Sequence, residues 1–507
     1  MTILLVILGY LAVLMLLGRL TARRSSNDVF YRGERRSPWY MVAWGMIGAS
    51  ISGVTFVSVP GMVLTQDMTY LQMCLGFIPG YLLVALVLLP VFYRLNLTTI
   101  YTFLGQRLGT EAYKTGAGFF LLSKMTGAAA RFYVVSIILQ RFVFDAWGVP
   151  FWLTVPMLLV LIWLYTRRGG IKTLVWTDSL QTLCMFGALL IIIYKVASEL
   201  GFDVAGAVTA ISHDSHSRVF VFDDWVSRQN FWKQFFSGIF VVIVMTGLDQ
   251  DMMQKNLSCR SLRDAQKDMI SYGLAFFPAN LLFLSLGVLL VLLAGQRGIG
   301  LPAAGDELLP MFAATGSLGQ MALVLFILGI VAASFSSADS ALTAMTTSFC
   351  VDLCGRPDDE RLRRRVHVGM AVVFVLFILL FRLVNSSSVI DAIYVMCGYT
   401  YGPLLGLFAY SLTPNPSPSL SPNPSPIGRG TTITSSKRGG LVGYCGQKAS
   451  PTGGGVVGAC ILSPLLCFAI DQLSQHFWGY HFGYELLMLN GLLTFCGLWA
   501  VDRVKKG

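Results

Sequence analysis

Apolar runs long enough to cross a lipid bilayer recur along almost the whole of this 507-residue chain, and that recurrence limits the folds open to it. A hydrocarbon core roughly 30 Å thick takes about 20 apolar residues per helix. Windows of that kind lie near 2–19, 38–65, 68–94, 114–146, 150–166, 172–198, 232–254, 268–294, 319–350, 366–383, 388–412, 454–474 and 481–501. They predict an all-α integral membrane protein with about 13 transmembrane helices. Composition agrees: 55% of residues are hydrophobic and 12% charged, which excludes an ordinary soluble domain.

The net charge of +11 would suit a nucleic-acid binder if it were gathered in one patch. Instead, Arg and Lys concentrate in alternate loops, at 19–36, 167–172, 255–267, 356–365 and 503–506, and the intervening loops hold few. By the positive-inside bias this predicts a multi-pass protein of the cell (inner) membrane, N-terminus outside and C-terminus cytoplasmic, with no nucleic-acid partner. The first apolar run has nothing basic before it and no small-residue cleavage pattern after it, so it is expected to remain as a helix. Ten cysteines without metal-like spacing read as free thiols. The stretch "TPNPSPSLSPNPSPIGRG" at 413–430 cannot build a core, and a disordered cytoplasmic loop is expected there.

A charge at a helix centre costs roughly 2.5–3.5 kcal/mol or more, so polar residues inside the spans need a cavity or a partner. The candidates are Lys124, Arg131, Asp178, Asp249, Asp251, Asp339 and Asp391. The second span, "WGMIGASISGVTFVSVPGMVL", is interrupted by Gly48, Gly53, Pro60 and Gly61 and holds Ser50, Ser52, Thr55 and Ser58. That is the pattern of a broken helix whose freed carbonyls can coordinate a hard cation. Small residues that let helices pack closely are the alternative. In the ninth span, Ala333, Ser336, Ser337 and Ser340 share one helical face, with Asp339 beside them.

"GGIKTLVWTDSLQ" at 169–181, "DQDMMQKNLSCRSLRDAQK" at 249–267 and "SSADSALTAMTTSF" at 336–349 resemble signature segments of the sodium/solute symporter family. Its bacterial members include sodium/galactose, sodium/proline and sodium/sialic acid carriers. The resemblance implies a leucine-transporter-like 5+5 inverted repeat with one preceding and two following helices. The expected division is a first helix and cytoplasmic loop (1–37), a first five-helix repeat (38–198), an extracytoplasmic loop (199–231), a second repeat (232–412), a Pro/Ser-rich insertion (413–453), and two peripheral helices with the C-terminus (454–507). Spans two and seven would be the broken pair. The insertion departs from the family pattern.

Carried over residue by residue, the resemblance implies a main Na⁺ site from Gly48, Ile51, Ala333, Ser336 and Ser337. A second, present in some members, would use Asp178, Ser336, Asp339 and Ser340; separate polar networks for the two acids are the alternative. Ser50, Ser52, Thr55, Gln72, Arg131 and Asp249 are the substrate candidates. The sugar carriers' Ala-Glu-Gln stretch is replaced here by Gly53, Val54 and Thr55, which argues against a galactose-like site. Hydroxyls with an arginine are similar to the sialic acid carriers' arrangement. A guanidinium offers a fixed fork to a carboxylate, so an organic anion such as a sugar acid is one reading of Arg131. Internal pairing with Asp249 is the other, and Lys124 is open to the same choice.

The expected function is import of a small organic solute by sodium symport. The alternatives are symport of a neutral sugar or amino acid, a proton-coupled carrier, and a solute sensor that does not transport. An enzyme is not expected, because no nucleophile with a matching histidine base stands out. Substrate identity, ion number and oligomeric state are not legible.

Overall fold

The computed structural model describes residues 2–21, 26–314, 318–384, 389–413, 454–480 and 482–506. Residues 414–453, expected as a cytoplasmic loop, lie outside the described residues, as does the side chain of Asp391.

Among the described residues the chain is helical, and its one β-like contact is an isolated bridge between Ser37 and Cys259. The main elements are α1 (Thr2–Thr21), α2 (Asn27–Arg32), α3 (Trp39–Ser50), α4 (Gly53–Gln66), α5 (Tyr70–Arg94), α6 (Tyr101–Leu108), α7 (Thr110–Trp147), α8 (Phe151–Gly169), α9 (Ile171–Glu199) and α10 (Val204–His213). They continue with α11 (Phe231–Gly247), α12 (Gln250–Asn256), α13 (Leu262–Arg297), α14 (Leu308–Ala314), α15 (Gly319–Leu353), α16 (Glu360–Val384), α17 (Val389–Ser411), α18 (Gly454–Trp478) and α19 (Leu486–Lys506). Nine of the described helices are long and apolar enough to span a membrane, and each of two bent pairs, α3/α4 and α11/α12, adds one more, giving 11. The windows at 150–166 and 388–412, also expected to span, are helical in α8 and α17 but fall outside that set.

Local chemistry sets the boundaries. Asp203, Asn230, Asp249 and Ser261 accept backbone N–H groups at the starts of α10, α11, α12 and α13, satisfying donors that a helix leaves free in its first turn. Gly298, at φ 65°, ends α13 in the left-handed region.

Burial separates core from periphery. In α15, 67% of the most apolar window is buried inside the protein, against 17% in α16 and α18. The exposed residues of the outer helices, among them Leu376, Leu380, Leu465 and Phe468, are those that suit contact with lipid. At the centre, α9 packs against both α15 and α3, α11 against α5, and α7 and α19 against α17. The two bent pairs lie within this inner set. Because a lipid-facing break would leave backbone groups unsatisfied, enclosure by other helices is what permits the breaks.

Candidate functional site

The α3/α4 pair bends by 61° between Ser50 and Gly53. Ile51 leaves the helical region, at φ −80° and ψ 87°. In a continuing helix the Ser52 amide would donate to the Gly48 carbonyl; here it donates to the Ser50 carbonyl at 3.1 Å. Close approach demands small residues on either side. A Cβ on Gly48 would lie 2.0 Å from Thr182 Oγ1, and one on Gly53 would lie 2.1 Å from Ser334 Oγ.

The hydroxyl face of α15 meets this break. Ser337 Oγ reaches the Ala49 carbonyl at 3.1 Å and the Ala333 carbonyl of its own helix at 3.2 Å, tying α3 to α15. Ser336 Oγ donates to Asp178 Oδ1 of α9 at 2.8 Å. Oxygens of three helices, the Ala49 carbonyl of α3, Asp178 of α9, and the Ala333 carbonyl and Ser336 and Ser337 hydroxyls of α15, therefore meet beside the break. Oxygen-only donors suit a hard monovalent cation. Among the described residues no group of three or more His, Cys, Asp or Glu side chains is arranged to hold a metal ion.

The four residues expected at a second ion position divide into two hydrogen-bonded sets. Asp339 accepts from Tyr165 at 2.6 Å and from Ser340 at 3.3 Å, whereas Asp178 binds Ser336 and pairs with Lys255 at 2.8 Å. Lys255 corrects the sequence reading, which counted it among the loop charges after span seven. It is 1% exposed, inside the protein. The cause is the 69° bend between α11 and α12, which turns the last seven residues of that span back into the core. A cue was present in the spacing: Asp251 and Lys255 stand four apart on one helical face, as an ion-pairing face would be written.

Beside the break lies a cavity lined by residues of α3/α4, α5, α7, α11/α12, α13 and α17. Five of the six substrate candidates line it or its rim: Ser50, Ser52, Thr55, Arg131 and Asp249. Gln72 does not. Its side chain donates to the Gln229 carbonyl at 2.9 Å and accepts from the Val221 amide at 3.0 Å, holding the 214–230 segment against α5. The expectation that Gln72 contacts substrate is replaced by this bracing role. Tyr272 was not anticipated: it bonds Ser50 and takes a hydrogen bond from Tyr81 at 2.8 Å, both at the cavity wall.

The charges of the cavity also sort themselves. Asp249 pairs with Lys124 at 3.2 Å rather than with Arg131, and accepts from Tyr401 at 2.6 Å. Lys124 meets Asp251 as well, at 2.6 Å. Asp249 Oδ1 also caps α12 by accepting the Asp251 amide at 2.8 Å. Arg131, two turns along α7 from Lys124, has no acid within 4 Å among the described residues. One cation is thus neutralised by the protein and the other faces the cavity.

The model of the Sodium:solute symporter family matches residues 30–413, most of the chain, and the protein belongs to that family. It is 28% identical over 397 residues to the sodium-dependent multivitamin transporter of Oryctolagus cuniculus, covering 75% of this chain and 60% of that protein. It is 23% identical over 428 residues to the sodium/sialic acid symporter SiaT of Proteus mirabilis, covering 80% and 83%. The chain therefore spans about 60% of the length of the multivitamin relative and most of the bacterial one. Among solved structures, a substrate-bound, outward-open Na⁺-coupled sialic acid symporter superposes with a TM-score of 0.79 at 19% identity, over 99% of this chain and 98% of that one. The nucleobase-cation-symport transporter Mhp1 superposes at 0.52 and 12% identity. These likenesses fix the fold as leucine-transporter-like.

Proposed function

We propose that this protein imports a small organic anion, a sugar acid such as sialic acid being the leading candidate, by symport with Na⁺ through alternating access. The observation that carries the anionic substrate is Arg131, a cation without an acid partner among the described residues, facing a cavity with Ser50, Ser52 and Thr55 on its wall. A guanidinium and several hydroxyls suit a carboxylate attached to a polyol. The relatives that carry sialic acid support the same reading. A neutral sugar leaves Arg131 without a counter-charge, whereas an amino acid would offer its carboxylate.

Sodium would bind at the carbonyls of Gly48, Ile51 and Ala333 and the hydroxyls of Ser336 and Ser337. An ion there braces the α3/α4 break against α15, and the break borders the cavity. Ion and solute thus each stabilise the same arrangement, and linkage makes the effect reciprocal. Each Na⁺ moving down 100 mV releases roughly 2.3 kcal/mol before any concentration term. The repeats would be 38–198 and 232–412, with the N-terminus outside and the C-terminus in the cytoplasm of a cell (inner) membrane protein.

The test is uptake of radiolabelled sialic acid, a hexuronate, proline and galactose into proteoliposomes under Na⁺, K⁺ or H⁺ gradients. Accumulation of an acid driven by Na⁺ alone, lost in Ser336→Ala, is the expected result. Uptake that follows the proton gradient instead would overturn sodium coupling. Accumulation of galactose or proline but not of the acids would overturn the anionic substrate.

A further inference from the structure

We propose that Tyr81 and Tyr272 form an ordered hydroxyl relay that turns the proton of Ser50 toward an acceptor oxygen of the solute, with Tyr272 the positioning residue; the inference rests on the sugar-acid reading above. Ser50 is the last residue of α3, at the lip of the break, and it lines the cavity together with Tyr81 of α5 and Tyr272 of α13. Each of the three hydroxyls carries one proton. Tyr81 donates to the Tyr272 oxygen at 2.8 Å, which leaves Tyr272 its own proton to give to Ser50 Oγ, its other hydrogen-bond partner. Ser50 is then an acceptor toward the protein. Its remaining proton points to Met252 Sδ at 3.9 Å, a weak acceptor at the cavity wall that a solute oxygen readily displaces.

The packing holds this order in place. Tyr272 is 1% exposed and Tyr81 3%, so both hydroxyls depend on protein partners. The two rings cross at 68° with centroids 4.6 Å apart, and Phe276 stands 6.1 Å from Tyr272. The contact exists because residue 273 is glycine: a Cβ there would lie 2.6 Å from Tyr81 Cβ. Phenylalanines would fill the same space, so packing alone does not account for the hydroxyls. In the reverse order Ser50 would give its proton to Tyr272 and face the cavity with lone pairs alone, which repel a carboxylate. In the order observed it donates, as the Arg131 guanidinium on the same wall does, and an organic acid supplies oxygens for both.

The experiment is Na⁺-driven uptake of radiolabelled sialic acid into proteoliposomes, read as KM and kcat, with binding of radioactive Na⁺ measured in the absence of solute. Tyr272→Phe is expected to raise KM about tenfold, the worth of one hydrogen bond to a charged group, while kcat and Na⁺ binding hold. Ser50→Ala should match it, and Ser50→Ala/Tyr272→Phe should be no worse than either alone, because the tyrosine acts through the serine. Tyr81→Phe, which releases the order but leaves Ser50 its partner, should raise KM about threefold. Tyr81→Phe/Tyr272→Phe, with the same loss expected as for Tyr272→Phe, serves if the single variant fails to stay monodisperse. A wild-type KM in Tyr272→Phe or its substitute, losses that multiply in the Ser50 double variant, or a parallel fall in Na⁺ binding overturns the positioning role. A wild-type KM in Tyr81→Phe overturns the ordered relay. No Na⁺-driven uptake of sialic acid by wild type overturns the sugar-acid reading, and this inference with it.

Discussion

Lys124 and Lys255 are both buried lysines held by aspartates, and they differ in ways that define their regions. Lys124 lies between two carboxylates at the wall of the cavity, with Tyr401 on one of them. Lys255 meets one carboxylate and does not line the cavity. The first arrangement has polar neighbours and a route to water, so it can tolerate adjustment. The second is closed, and removing either partner leaves a buried charge without compensation. The same pairing chemistry thus serves a region that admits solute and one that does not.

The sharpest way to break this comparison is to remove each ammonium. Lys255→Met is expected to lower stability by about 3–5 kcal/mol, with most of that recovered in Lys255→Met/Asp178→Asn, read from denaturant or thermal unfolding in detergent. Lys124→Met should cost less, about 2–3 kcal/mol, because Asp249 lines the cavity and keeps its Tyr401 partner. Equal losses for the two would erase the distinction. Arg131→Lys should raise the KM for the anionic solute about tenfold while leaving radioactive Na⁺ binding unchanged, since a lysine loses the forked geometry but keeps the charge. A parallel loss of Na⁺ binding would place Arg131 in the ion region instead. Tyr401→Phe should have the smallest effect, about 1 kcal/mol on stability, and a double cycle with Lys124→Met should couple, because both groups bind Asp249.

The legibility of the sequence followed the same boundary. Broken helices announced themselves through Gly, Pro and Ser in otherwise apolar runs, and the α15 face through its three- and four-residue spacing. Both depend on contrast with a hydrophobic background, which a membrane span supplies. Lys255 lacked that contrast: it follows the apolar part of its span, where loop charges also stand, and beyond its four-residue spacing from Asp251 the bend is what distinguishes it. Gln72 failed for the opposite reason. A polar residue on an apolar helix signals a partner without naming it, and here the partners are the Val221 amide and the Gln229 carbonyl. Lys124 and Arg131 lie seven apart on one face of α7, so spacing could not decide which of them would take Asp249.

The seven residues of α12 carry Asp251 toward Lys124 and, one turn further on, Lys255 toward Asp178. A helix of that length is about 10 Å long and behaves as one stiff piece. It is a yoke: a tilt that lengthens one ion pair must displace the other. Met252, at the cavity wall, and the fully enclosed Met253 sit between the two charges and make no ion pair of their own. Changing the volume of either would move the yoke itself and disturb solute handling and ion handling together, although neither methionine bears a charge.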